Sequence, residues 1–337
     1  MAIPPPTISV CICSYNQGLY LENAIRSVTR QTCPPNEIIV SDDCSSDGSI
    51  PLLGNLSAEI PTLKVYYQEE NTGIAKNTDF CFRKASGEFI VRLDSDDVLL
   101  PDFIERLLTY LLKYPNVGFA HAAVQEIDNK SEKLNIRRIF RKAIFQSGDE
   151  ALKASIKGYR VTANIIMFRR TALQTVDYMK GRPNFGEDYH LTSAISSAGF
   201  GNVYLNEVLS QYRVWNDSGR IRQKRKLSEI SGIRSVFEDV IEPGFKSRGW
   251  NISVLTRRRT AFACQHANCL GWNFYNDQEK LEILEEILKL SSSVKVRLYC
   301  LIYLRGFGWL ADVPSGILFY FKSTLKYSVL KFNKLKS

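Results

Sequence analysis

Residues 8–40 read ISVCICSYNQGLYLENAIRSVTRQTCPPNEIIV, and this stretch decides the fold. The run over 8–12 is apolar, rich in β-branched side chains, and ends at the polar turn Ser14-Tyr15-Asn16-Gln17-Gly18, the pattern of a buried strand. Leu21, Ala24, Ile25 and Val28 then recur at helical spacing until Cys33-Pro34-Pro35 stops the helix, and residues 37–40 resume the apolar run. The unit is strand, helix, strand. An apolar run over 63–67, a helical pattern over 74–85 and a second run over 88–93 repeat it, which predicts a mainly parallel sheet covered by helices. Beyond these, the patterning predicts helices over 101–114 and 188–198 and strands over 117–124, 161–168 and 203–214, while 128–158 is basic and weakly patterned.

Ligands of such sheets bind outside the carboxyl ends of the strands, and the polar residues of this chain gather there. Val40 leads into Ser41-Asp42-Asp43, and Leu93 leads into Asp94-Ser95-Asp96-Asp97. In extended backbone, Asp94 and Asp96 point to one face and bring two carboxylates to one ligand. Hard oxygen ligands of this kind suit magnesium or manganese, which take one or two protein carboxylates and complete their shell with water and substrate phosphate. A nucleoside diphosphate is the guest this chemistry expects.

Other chemistries lack their residues. No Gly-x-Gly-x-x-Gly follows the first strand and no Gly-Lys-Ser/Thr loop is present, which removes dinucleotide and Walker-type sites. There is no Gly-x-Ser-x-Gly elbow, and His121, His190 and His266 are scattered, which argues against a hydrolase triad. The eight cysteines form no CxxC pair and no zinc spacing, so they read as reduced thiols of a cytosolic chain, and the first six residues carry no secretory signal pattern.

Four motifs, taken in order, resemble those of the inverting family 2 glycosyltransferases. They are Ile12-Cys13-Ser14-Tyr15-Asn16, then 37–49 (EIIVSDDCSSDGS), then Asn71-Thr72-Gly73-Ile74-Ala75-Lys76-Asn77, then 87–97 (GEFIVRLDSDD). Gly186-Glu187-Asp188 and Tyr212-Arg213 complete the set, so that the resemblance covers about two thirds of the chain, residues 7–218. It implies a fold: a single α/β domain of the A-type nucleotide-diphospho-sugar transferase class, a mainly parallel sheet flanked by helices. It also implies roles. Asp42 resembles the carboxylate that hydrogen-bonds the nucleotide base, with Ser14 and Asn16 near the same pocket and Lys76 on its wall or near the phosphates. Asp94 resembles the residue facing ribose and metal, and Asp96 the direct ligand of Mn2+ or Mg2+. Asp188 is similar in position to the catalytic base, with Glu187 beside it shaping the acceptor pocket.

The implied reaction is a single displacement at the anomeric carbon, with a nucleotide-diphospho-sugar donor and a saccharide acceptor; UDP or TDP fits an Asp42 that accepts from a ring N–H, a donor that guanine also offers. Two departures from the pattern bear on it. Cys44 stands where the family often has Gly in a loop that favours positive φ, and Trp215 stands where many members place a His, which leaves metal binding to Asp96 and water and offers an aromatic face to the acceptor sugar.

The chain has 337 residues, about twice the ~150 of one domain, and a formal net charge of +9. The basic excess is C-terminal, with 20 Lys and Arg against 10 Asp and Glu from Ile221 onward. We therefore expect a catalytic domain over 1–218, its nucleotide half about 1–100 and its acceptor half about 101–218, and a mostly helical extension over 219–337. From 291 to 337 there are eight Lys or Arg and one Asp among many aromatics, which suits an element lying on anionic lipid, and no stretch is long and apolar enough to span a bilayer. The expectation is a peripheral enzyme on the cytosolic face of the membrane, acting on a lipid-linked saccharide in surface polysaccharide assembly. Nucleic acid is not an expected partner, and the oligomeric state is left open. The competing readings are transfer to a protein or soluble saccharide, a polymerising synthase, and a non-catalytic sugar-nucleotide-binding scaffold.

Overall fold

The computed structural model describes residues 4–183, 185–215 and 224–309. The expected lipid-facing residues Leu318, Phe321, Tyr327, Leu330 and Phe332 lie outside that range, as does 216–223. The described chain divides into two compact units, one comprising residues up to 221 together with 235–251, the other 222–234 and 252 onward. Residues 235–251 thus pack with the first unit although they follow position 218.

In the first unit, β1 (Ile8–Ser14), α1 (Gly18–Thr29), β2 (Glu37–Asp42), α2 (Ser49–Glu59), β3 (Leu63–Tyr67), α3 (Ile74–Lys84) and β4 (Phe89–Asp94) form the expected alternation. The chain continues with β5 (Val98–Leu99), α4 (Phe103–Lys113), β6 (Val117–Ile127), β7 (Lys133–Arg137), β8 (Phe145–Gln146) and α5 (Gly148–Ser155). Then come β9 (Ile166–Arg169), α6 (Arg170–Thr175), α7 (Glu187–Ser197) and β10 (Gly201–Arg213). The strand order is β3-β2-β1-β4-β9-β6-β10-β5, with β7 on β6 and β8 on β10. Strands β3 to β4 are mutually parallel, as are β6 and β10, but β9 enters antiparallel between β4 and β6. The sheet is therefore mixed α/β and mostly parallel, as expected.

The alternation of β1 explains why it can lie at the centre. Val10 and Ile12 pack with Leu21 and Ile25 of α1 and with Phe103 and Leu107 of α4, while Cys11 and Cys13 face Cys81 and Phe82 of α3 and the cluster around Phe168 and Leu191. Both faces are apolar, so the strand reads as a continuous hydrophobic run. Each fully buried Leu or Ile here contributes roughly 2 kcal/mol of transfer free energy. All eight cysteines are free. The predicted strand over 161–168 is shifted and shorter: β9 runs from Ile166 to Arg169, and ahead of it the Thr162 and Asn164 side chains donate to Ala122 O and Asp94. The region 128–158, weakly patterned in sequence, supplies β7, β8 and α5.

The second unit is helical, as expected, with α8 (Lys226–Ser235), α10 (Ser253–His266), α11 (Asp277–Leu290) and α12 (Val294–Leu304) around Ile230, Ala263, Leu270, Ile283 and Ile287. Helix α9 (Glu242–Ser247) belongs to the first unit. Among the described residues no helix is long and apolar enough to cross a membrane.

Candidate functional site

The carboxyl edge of β2, β1 and β4 carries the predicted residues in one row. Ser14 pairs in register with Asp42 across β1 and β2, and Cys13 with Asp94 across β1 and β4. Two strand spacings, roughly 10 Å, therefore separate Asp42 from Asp94, the span of a nucleoside.

The Asp42 end is held by short-range backbone contacts. Its Oδ1 accepts the Ser45 N–H at 2.8 Å, while Oδ2 is buried with no partner, and the buried Ser14 hydroxyl beside it is likewise unpartnered. A buried carboxylate oxygen without a donor is costly, and a ring N–H is a donor of the right kind. Asn16, at φ 53°, accepts the Ser46 N–H through its side chain and donates its own N–H to Ser45 Oγ. Asn16 thus stands on the turn that shapes the pocket. Asp43 faces the other way, its carboxylate accepting from Thr72 N–H and hydroxyl and from Gly73 N–H. That grip fixes the start of α3 and, on its first turn, the exposed Lys76. Cys44 adopts φ 65°, so the loop takes the left-handed conformation without the glycine, at a cost of about 1 kcal/mol.

The acidic cluster after β4 is tied to β10. Asp97 is buried, and its Oδ1 accepts the Arg213 N–H at 2.7 Å, which makes it a structural lock. The Arg213 guanidinium donates to Asp96 O, Asp128 O and Ser131 Oγ and stacks on the Tyr20 ring at 4.0 Å. The Trp215 indole N–H donates to Asp96 Oδ2 at 2.7 Å, with its ring edge-on to Tyr20 at 5.5 Å. Burial pushes the Asp96 carboxyl up from its ordinary range, and the neighbouring Asp94 charge adds to the push. A cation would relieve both effects. Among the described residues no group of three or more His, Cys, Asp and Glu is arranged to hold a metal unaided, so an ion at Asp94 and Asp96 would complete its shell with water and diphosphate oxygens.

Arg92 connects these carboxylates to the predicted base. It is 2% exposed, in the middle of the sheet, and its guanidinium donates to Asp94 Oδ1 at 3.3 Å, to Glu187 Oε1 at 3.4 Å and to Asp188 Oδ1. Glu187 and Asp188 open α7 just after Gly186, whose φ of 73° turns the chain into the helix. One guanidinium faces three carboxylates, so full ionisation leaves the cluster net negative. Burial pushes the Asp188 carboxyl well above the usual range; Arg92 opposes this, and Glu187 and Asp94 reinforce it. Sequence reading missed Arg92; the signal was an arginine inside the apolar run FIVRLD, which demands a buried anion. His190, two residues from Asp188, is committed to Arg182 and Asp239 instead.

The chain matches the profile described as Glycosyl transferase family 2 over residues 9–176. It is 28% identical over 213 residues, 63% of this chain and 81% of the other, to TuaG of Bacillus subtilis, which carries the name of a teichuronic acid biosynthesis glycosyltransferase. It is 37% identical over 117 residues to a GalNAc(5)-diNAcBac-PP-undecaprenol beta-1,3-glucosyltransferase of Campylobacter jejuni, spanning 34% of this chain and 37% of that one. Among solved structures, S. aureus TarS 1-349 in complex with UDP superposes with TM-score 0.54 at 16% identity, over 91% of this chain and 92% of that one. The mannosyltransferase PcManGT from Pyrobaculum calidifontis, with GDP-Man and Mn2+, superposes with TM-score 0.55 at 18% identity, over 91% and 86%.

Proposed function

The chain belongs to the family 2 glycosyltransferases, and from that premise we propose that it moves a sugar from a nucleoside-diphosphate donor, UDP or TDP, to a lipid-linked saccharide with inversion at the anomeric carbon. The observation that carries the donor reading is the row at the sheet edge, with the unpartnered Asp42 oxygen and Ser14 hydroxyl at one end and Asp94 and Asp96 at the other. Asp42 accepts from the base N–H; Ser14 and Asn16 shape the base pocket; Lys76 lies toward the phosphates. Asp94 and Asp96 hold a divalent cation, Mn2+ or Mg2+, which when bound offsets the charge developing on the departing diphosphate. Asp188 takes the acceptor hydroxyl proton, and Glu187 and Trp215 line the acceptor side.

A lipid-linked acceptor in surface polysaccharide assembly is supported by the names of the Bacillus and Campylobacter relatives and by α12. Val294, Leu298, Leu301 and Leu304 recur at helical spacing and are exposed, followed by exposed Phe307 and Trp309. With Lys295, Arg297 and Arg305 among them, this stretch suits a peripheral position on the cytosolic leaflet.

The deciding experiment is a thermal-shift screen with UDP, TDP, GDP and CMP, each with and without manganese. A metal-dependent stabilisation by one diphosphate supports the site and names the base, because binding to the folded state raises apparent stability by mass action. No shift with any of these nucleotides, with or without manganese, overturns the donor reading.

A further inference from the structure

Residues 133–145, KLNIRRIFRKAIF, run from β7 through the loop to the first residue of β8, and hold five Lys or Arg and no acid. The segment is ordered by specific contacts. β7 pairs with β6; the Ile139 N–H donates to the Tyr204 hydroxyl at 3.0 Å; Arg141 folds inward onto Asn202 and the loop carbonyls; and Phe145 stacks on Tyr114 at 5.2 Å. What this bracing presents to solvent is apolar. Phe140 is 100% exposed, and Leu134, Ile136 and Ile144 are each more than 40% exposed. Leu134 and Ile136, two apart on a strand, share a face.

The charges sort in the same way. Arg137 and Arg141 are used internally, Arg137 on Glu126 and over the Tyr212 ring at 4.8 Å. Lys133, Arg138 and Lys142 are exposed with no acidic partner among the described residues, Arg138 reaching only Asn206. Exposed aliphatic and aromatic tips interleaved with uncompensated cations complement an anionic bilayer, whose acyl boundary takes the tips and whose phosphates take the cations. A protein partner leaves no comparable reason for a wholly acid-free segment. The segment is also rooted beside the site, since Tyr212 under Arg137 precedes Arg213, which anchors Asp96 and Asp97.

We propose that the β7–β8 loop is a membrane-docking surface of the catalytic unit, seating Phe140 and its neighbours in an anionic lipid leaflet. Its purpose rests on the lipid-linked acceptor reading, but its binding is read without any transfer. The test uses the full chain with phosphatidylcholine vesicles, with and without phosphatidylglycerol, comparing wild type with Phe140→Asp and with Arg138→Glu/Lys142→Glu. The expected results are backbone hydrogen-exchange protection within 138–145 on the anionic vesicles and roughly a tenfold loss of co-sedimentation in each variant. Thermal stability should be retained, since the altered side chains are exposed. Undiminished vesicle binding by both variants, equal binding to neutral vesicles, or protection confined to other segments would overturn the proposal. Concentration-dependent protection of 133–145 without vesicles would overturn it too, assigning the surface to a second copy. Failure of nucleotides to stabilise the protein would count against the transferase reading and leave the vesicle result standing.

Discussion

The two sides of the candidate site are built on opposite plans. On the donor side, Asp42, Asp43 and Asn16 are set by turns a few residues long, and they leave a carboxylate oxygen and a hydroxyl buried without partners. On the acceptor side, Glu187 and Asp188 are held by Arg92, some 95 residues away in sequence, and Asp188 is already paired. The first side is prepared for a ligand and the second for a charge balance. Donor binding should therefore tolerate changes at α7, whereas chemistry should not tolerate changes at Arg92 or Asp188.

The largest test of that contrast is Asp188→Asn. With the proposed base removed and the hydrogen-bonding shape kept, transfer should fall by about a thousandfold or more, while the thermal shift with UDP and manganese stays near wild type. A matching loss of both readouts would erase the distinction between the sides. Arg92→Met should destabilise by about 3 kcal/mol, because it leaves buried carboxylates uncompensated; calorimetric melting measures it, and Arg92→Lys should recover part of the loss.

A third test uses Glu37, which anchors the opposite, amino-terminal edge of the same strands. Against the push of burial, hydrogen bonds from Lys64, Ser9 and Ser86 hold its carboxyl down at about 2. The folded value lies below the unfolded one, so its stabilisation is full above about pH 4.3 and is lost as pH falls toward 2. Glu37→Gln should cost about 2 kcal/mol at pH 7, and the gap in melting temperature between variant and wild type should narrow progressively on acidification. A gap independent of pH would assign the loss to packing. Asp42→Asn should weaken nucleotide binding about tenfold, roughly 1.4 kcal/mol, by presenting an amide N–H to a donor; isothermal titration with the diphosphate that stabilises the protein reads this directly. The smallest effect is expected from Cys44→Gly, a change within about 1 kcal/mol in either direction as relief of positive φ offsets unfolded-state entropy.

The same contrast explains what could be read from the chain before its structure. The places of Asp42, Asp94 and Asp96 at the sheet edge were legible because each ends or closely follows an apolar strand, so that strand and turn are encoded within ten residues. The α1 and α3 helices were legible through their spacing of apolar residues. Arg92 was not, because its partners arrive from α7 and no local pattern announces a pairing across that distance. Strand β9 was overextended for a related reason. Residues 161–168 are nearly all apolar, but the antiparallel insertion between β4 and β6 is fixed by neighbours remote in sequence, and Asn164 turns toward Asp94 instead. The weakly patterned stretch 128–158 failed to predict β7 and β8 because short edge strands with exposed apolar residues do not alternate cleanly.

The hydrogen bond from Trp215 to Asp96 has an optical consequence. An indole emits according to the charges and dipoles around it, and here its N–H rests on a proposed metal-ligating carboxylate while its ring is about half exposed at 46%. Neutralising that carboxylate, or drawing it onto an ion, changes the field at the indole directly. The molecule thus carries a native spectroscopic reporter at the proposed metal site, so that intrinsic emission, compared between wild type and Trp215→Phe, can follow filling of the site in real time without a label.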